Sequence, residues 1–464
     1  MPIAACLLVL SAFVAAPPQE SLAKGDILDK VECRNHPGQS YALFVPTAYD
    51  PAKIWPILYA FDPGGRAREP LIRFKEAAEA RGWIVACSFN SRNGPWAPVF
   101  AAVAAMQEDI HQRLAVDDER IFAAGFSGGA RAVSIFSKMI GRPVAGVIAC
   151  GAGLAEGLRV EDLETAAFYG IVGTDDFNFR EVIVLDKLLD RRPDIPHWIR
   201  TFPGGHAWPP ASVCAESLEW LDLVTAKRKG RPLEQPLAEA LMAKAAARAA
   251  SFEAEGAADR AVAELTAAAS ALSGIGDTDG LVTRAAGIRK TAAFKKSAGI
   301  DEERERDEAR LLAELYKSLD ANDKSVILRQ DLVPLYNRID RLLREAEKAG
   351  DSSGGKYARR VLLDVVMRAQ NRGAGLLAST TPVKAVLCFE IAVRASEYEP
   401  ARHRGMLYNL ACAHARSGNA RKALENLRRA VVEGLSDRNL ILSDADLESI
   451  RDTPEFREIL SGIR

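Results

Sequence analysis

The run Gly125-Phe126-Ser127-Gly128-Gly129 sets a serine between glycines, and a serine so placed is a candidate nucleophile. A neutral hydroxyl attacks poorly, so a base must stand within hydrogen-bond reach and a third group must orient that base. For a serine on a strand-to-helix turn, the acid and then the histidine follow along the chain. Of the six histidines, that order together with a place inside the first domain leaves His197 and His206. His206 is the better candidate, because it lies in the glycine-rich run Phe202-Pro203-Gly204-Gly205-His206-Ala207-Trp208 just past a strand end, whereas His197 opens that strand. The acid should follow the preceding strand, where Gly173-Thr174-Asp175-Asp176 offers Asp176 and, as the alternative, Asp175. Charge developing on a carbonyl oxygen needs at least two donors. The Gly128 N–H is the first; the loop Asp62-Pro63-Gly64-Gly65 should give the second from Gly64 or Gly65, since Pro63 has no N–H. Trp96, in the polar loop Asn90-Ser91-Arg92-Asn93-Gly94-Pro95-Trp96, and Trp208 are candidates for touching substrate.

These residues need a sheet to hold them. Arg120 to Gly125 reads as a buried strand and Ala130 to Phe136 as a helix, the setting that presents the Ser127 hydroxyl at a helix N-terminus. Upstream, Gln39 to Pro46, Ile54 to Phe61 and Trp83 to Phe89 read as strands, with helices over Pro70 to Arg81 and Val99 to Leu114. Downstream, the strands are Gly146 to Cys150, Ala167 to Gly173 and His197 to Phe202, and the helices Arg180 to Asp190 and Ser212 to Thr225. Such alternation predicts an α/β fold whose mostly parallel sheet carries helices on both faces and its site at the carboxyl ends of the strands.

With 464 residues the chain is long enough for two or three domains. Its 61 basic and 62 acidic residues argue against a nucleic-acid or anionic-membrane partner held by bulk charge. Residues 1–23 read as a signal peptide with a cleavage site at Ser21-Leu22-Ala23, which predicts a secreted or periplasmic protein with no membrane span after its removal. The basic segment usual at the start of such a leader is missing; if the true start lies upstream, Ile3-Ala4-Ala5-Cys6 fits a lipoprotein box. The seven cysteines lack the spacing of a metal site or disulfide framework, and Cys87 and Cys150 read as small buried hydrophobes. No metal or cofactor is expected.

The predicted domain boundaries are 24–229 for the catalytic domain, 230–236 for a linker in the charged, proline-bearing stretch, and 237–464 for an alanine-rich helical domain. In that second domain Ala423, Leu427 and Ala430 have the small-large-small spacing of one helix in a packed hairpin, with Leu407, Leu410 and Ala411 on its partner and Gly418 at the turn. Ala385, Phe389 and Ala392 repeat the spacing, as do Ala261, Leu265 and Ala268. The pattern resembles tetratricopeptide repeats, clearest at 401–434, and implies a surface for a protein or peptide partner.

The elbow at Gly125 to Gly129, the turn at Gly173 to Asp176 and the Gly205-His206 loop together resemble an α/β-hydrolase of the compact esterase type, similar to polyhydroxybutyrate depolymerases, feruloyl esterases and dienelactone-hydrolase-like enzymes. The resemblance covers about Lys30 to Val224. It favours Asp176 over Asp175 as the acid, by its offset of three residues from Gly173. It also implies acyl transfer to Ser127 and hydrolysis of the acyl-enzyme with His206 as base and acid, on a small-molecule or polymer ester. One departure stands out: Asp62-Pro63 replaces the usual His-Gly of the oxyanion loop. The few residues between Ser127 and His206 leave no room for a large lid, so an open site is expected. The competing expectations are a serine peptidase with the same triad and an inactive hydrolase domain that serves as platform for a protein-interaction module.

Overall fold

The computed structural model describes residues 22–319, 332–350, 352–379 and 382–463; of the expected signal peptide, only Leu22 and Ala23 fall among them. Eight strands, β1 (Ile27–Glu32), β2 (Ser40–Phe44), β3 (Trp55–Phe61), β4 (Ile84–Ser88), β5 (Val116–Phe126), β6 (Gly146–Cys150), β7 (Phe168–Gly173) and β8 (His197–Phe202), form one sheet in the order β1-β2-β4-β3-β5-β6-β7-β8. β1 and β2 pair antiparallel, β2 joins β4 antiparallel, and every later pairing is parallel. This is the mostly parallel sheet that the alternation of strands and helices predicts, with β5 near the middle. β1 has no strand signal in the sequence. It is a half-exposed edge strand with alternating charges, so it lacks the apolar run that marks the buried strands.

Helices cover both faces, as the alternation requires. α1 (Arg68–Arg81) and α6 (Ala211–Arg228) pack on the face built from Leu58, Ala60, Phe122, Ala124, Ile148 and Tyr169. α2 (Trp96–Arg113), α3 (Gly128–Ser134), α4 (Phe136–Ile140) and α5 (Phe179–Leu189) cover the opposite one, built from Ile57, Tyr59, Phe61, Ala123, Val147 and Phe168. Successive residues of β3 and β5 therefore serve different cores, which follows from the two-residue period of a strand. The six described cysteines are buried and form no disulfide among the described residues.

Beyond α6 the described residues are helical: α7 (Gln235–Ala254), α8 (Ala258–Ala271), α9 (Asp279–Arg289), α10 (Ala292–Leu319), α11 (Val333–Lys348), α12 (Ser353–Leu377), α13 (Pro382–Ala395), α14 (Pro400–Arg416), α15 (Ala420–Val432) and the short α16 (Arg438–Ser443) and α17 (Pro454–Ser461). None of these helices is long and apolar enough to cross a membrane.

The stretch 230–236, expected as a linker, does not separate two cores. Glu234 pairs with Arg81 at 2.7 Å, α7 begins at Gln235, and Ala238, Leu241, Ala261, Leu265 and Ala268 join the apolar cluster of α6 and the sheet. Trp220 Nε1 donates to the Ala271 carbonyl at 2.9 Å, and Arg248 bridges Glu216 and Glu264. The expected repeat at Ala261, Leu265 and Ala268 thus packs toward the sheet side. Ala423, Leu427 and Ala430 do pack with Leu407 and Ala411, while Ala385 and Phe389 pack with Leu410. Between these regions the 28-residue α10 and 25-residue α12 depart from any short helical period.

Because Leu265 is fully buried in the cluster it shares with the sheet, Leu265→Ala should cost about 2–5 kcal/mol. Urea unfolding followed by the fluorescence of Trp198 and Trp220 should show that loss in the main transition. An unchanged transition would mean that α7–α9 fold apart from the sheet.

Candidate active site

β5 ends at Phe126, α3 begins at Gly128, and Ser127 between them has φ 54° and ψ −115°. Among the described residues it is the one non-glycine with positive φ. The flanking glycines are required by contact. A methyl group on Gly125 would lie 2.1 Å from the Gly129 carbonyl oxygen, and one on Gly129 would lie 2.1 Å from the Phe61 carbonyl oxygen. The turn therefore closes against both its own helix and the end of β3.

His206 Nε2 lies 2.9 Å from Ser127 Oγ, and His206 Nδ1 lies 2.9 and 3.0 Å from the two carboxylate oxygens of Asp176. Asp176 is 1% exposed, and the Asn178 N–H donates to its Oδ1 at 2.8 Å. A carboxylate facing Nδ1 accepts a hydrogen bond from an N–H there, which leaves Nε2 as acceptor for the serine hydroxyl. The rings of Phe177 and Phe126 flank the imidazole at 4.2 and 4.6 Å. Asp175 does not approach His206 in this way; its N–H donates to the Gly204 carbonyl at 2.8 Å, tying the acid loop to the histidine loop. These loops lie so close that a methyl group on Gly173 would meet the Gly204 carbonyl oxygen at 2.3 Å. His197 stands apart, with Nε2 3.5 Å from carboxylates of Asp186 and Asp190.

The oxyanion loop departs from expectation. Asp62 Oδ1 accepts from the Gly64 N–H at 2.8 Å, and the Asp62 carbonyl accepts from the Gly65 N–H at 3.0 Å. Both glycine donors are thus engaged within their own loop, and neither is the free second donor foreseen for it. Gly128, as first residue of α3, keeps an N–H without an intrahelical partner. Trp208 is corrected as well. It is buried, its Nε1 donates to Asp62 Oδ2 at 2.8 Å, and it does not line the cleft beside Ser127. Trp96 does line that cleft and is 42% exposed.

The cleft has a volume of about 500 Å³, and one wall is foreign to the sheet: Asp364, Met367, Arg368 and Asn371 reach it from α12. The short Ser127-to-His206 interval holds no lid, and the helical half adds a wall to the cleft that this interval alone does not foretell. Arg368 is fixed by Asp364 at 2.6 Å, and on the opposite wall Arg131 is held by Glu181 at 2.8 Å. The α12 wall is seated by Arg360, which pairs with Glu308 at 2.8 Å and stacks 5.2 Å over the ring of Phe179, at the start of α5. Sequence reasoning missed α12, since nothing in its local pattern separates a cleft-facing helix from any other amphipathic one.

No protein-family model matches the chain. Among solved structures it is similar to FphF, fluorophosphonate-binding serine hydrolase F of Staphylococcus aureus, at 14% identity over 39% of this chain and 92% of that one, with a TM-score of 0.33. It is also similar to a ferulic acid esterase at 16% identity, 43% and 98% coverage and a TM-score of 0.34. Est1E from Butyrivibrio proteoclasticus stands at 14% identity, 43% and 98% coverage and a TM-score of 0.35.

Burial pushes the Asp62 carboxyl up, but hydrogen bonds from Arg66, Trp208 and the backbone N–H groups of Gly64 and Arg66 outweigh it and hold the group below its ordinary 3.8. A carboxylate lowered on folding stabilises fully above its unfolded-state value and loses that contribution as pH falls through the folded one. Asp62→Asn should therefore melt below the parent at pH 7, with the gap closing as pH falls below about 4. Melting curves of the two proteins from pH 7 to pH 3 check this; a gap of constant size would remove Asp62 from its hub role.

Proposed function

We propose that this protein is a serine hydrolase that cleaves carboxylic esters through a Ser127 acyl-enzyme. The observation that carries the proposal is the hydrogen-bonded series from Ser127 Oγ through His206 to buried Asp176. In the first step Ser127 Oγ attacks the carbonyl carbon while its proton passes to His206 Nε2, and the carbonyl π pair moves onto oxygen. Gly128 N–H donates to that oxygen. The imidazolium, held in place by Asp176, returns its proton to the leaving alcohol as the carbonyl re-forms. Water then attacks the acyl-enzyme with His206 again as base, giving the free acid and restoring Ser127.

The apolar, leader-like run expected at 1–23 supports a reading of action outside the cytoplasm, secreted or periplasmic. The second half takes part in two ways in this reading. Its α12 limits the size and shape of the acyl or alcohol group that reaches Ser127, and the tetratricopeptide-like hairpin at 401–434 offers a surface for a protein or peptide. The intact hydrogen-bonded series favours an active enzyme over an inactive platform.

The test is steady-state hydrolysis of p-nitrophenyl esters of increasing acyl length beside matching anilides. Esters should turn over well ahead of anilides, and Ser127→Ala should lower kcat/KM by about 10⁴-fold or more. Preference for the anilides would favour the peptidase reading. Hydrolysis that survives Ser127→Ala would defeat both.

A further inference from the structure

The site as described has one fewer oxyanion donor than acyl transfer needs. Pro63 has no N–H, and the N–H groups of Gly64 and Gly65 are bonded to Asp62. Asp62 cannot readily release them, because Trp208 and Arg66 hold the same carboxylate. The loop that usually completes such a site is locked into a support.

What lies against that support is the segment after β4. The Asn93 N–H donates to the Pro63 carbonyl at 2.9 Å, and Arg92 Nε donates to the Phe89 carbonyl at 3.1 Å. At Gly65, with φ 68°, a methyl group would lie 2.6 Å from both Arg92 Nε and the Phe89 carbonyl oxygen, so the two loops are in close contact. This places the Asn93 side chain directly on the nucleophile turn. A methyl group on Gly128 would lie 1.7 Å from Asn93 Oδ1 and 3.2 Å from Nδ2. Asn93 lines the Ser127 cleft, and its side-chain amide makes no hydrogen bond among the described residues.

We propose that the Asn93 side-chain amide is the second oxyanion donor, paired with the Gly128 N–H. The assignment rests on the acyl-transfer reading of Ser127. Asn93 Oδ1 is the end nearer Gly128, and a half-turn of the amide about its Cβ–Cγ bond exchanges it for the NH2 group, which can then donate to the oxygen as it gains charge and leaves no buried charge when the cleft is empty. Other cleft groups suit the role less well. Arg131 is committed to Glu181 and to the Leu154 carbonyl, and Arg368 to Asp364. The assignment also accounts for a glycine at 128, since any side chain there would displace the amide.

The experiment measures kcat and KM on p-nitrophenyl acetate for the full-length protein and for Asn93→Ala, Asn93→Asp, Ser91→Ala and Ser127→Ala, with a melting curve for each. Asn93→Ala should lower kcat about 10²–10³-fold with little change in KM or melting temperature. Asn93→Asp keeps the shape, replaces the donor by a negative charge, and should fall at least as far. Loss of less than about tenfold in folded Asn93→Ala, or an equal or larger loss in Ser91→Ala, would overturn the assignment. Ester hydrolysis that needs Ser127 but not Asn93 defeats this inference alone, whereas hydrolysis that survives Ser127→Ala defeats the acyl-transfer reading beneath it.

Discussion

The backbone of Ser127, at φ 54° and ψ −115°, is the constraint on which the rest of the site depends. A non-glycine residue in such a conformation costs about 1–3 kcal/mol, and it persists only where its surroundings leave no alternative. Here β5 runs straight into α3, with Gly125 and Gly129 allowing strand, helix and the end of β3 to touch. The Ser127 N–H is held by the Cys150 carbonyl at 2.8 Å, so the neighbouring strand fixes the turn from its other side. Relaxing the turn would break contacts in the middle of an eight-stranded sheet.

Around that turn the polar groups are arranged by mutual support. Asp176 orients His206 and is itself fixed by the Asn178 N–H, while the Asn178 side chain reaches the Gly151 carbonyl at 2.8 Å, just past β6. Asp62 plays the equivalent part on the other side, gathering Gly64, Arg66 and Trp208. With the N–H groups of Gly64 and Gly65 engaged by Asp62, this loop serves as a base for the loop that carries Asn93, whose N–H bonds the Pro63 carbonyl. The second half of the chain adds α12 to the wall of the cleft, and α7–α9 extend the core of the sheet.

Much of this was legible in the sequence because it is local. The strand, turn and helix around Ser127 lie within some twenty residues, and the glycines that permit the turn are adjacent to it. The order of Ser127, Asp176 and His206 is the one that the resemblance to α/β-hydrolases implies, and the choice of Asp176 over Asp175 matches the hydrogen bond to His206 Nδ1. What escaped is long-range. That Gly64 and Gly65 are engaged depends on the side chain of Asp62, whose position depends on Trp208, 146 residues away. The wall residue Met367 stands far beyond Ser127 in the chain, and no spacing rule connects them. The stretch 230–236 has the composition of a linker, yet Arg81 and the apolar cluster bind its end to the first half. The spacing at Ala261 marks a packed helix face without revealing that the face meets the sheet side.

The most direct test of the central claim is to catch the acyl-enzyme. The protein would be mixed rapidly with p-nitrophenyl acetate, quenched in acid within the first turnover, digested and weighed by mass spectrometry. An acetyl group on the peptide that contains Ser127, absent after the same treatment of Ser127→Ala, is the predicted result. Turnover with acetyl on another residue, or on none while product accumulates in a burst, would contradict the account.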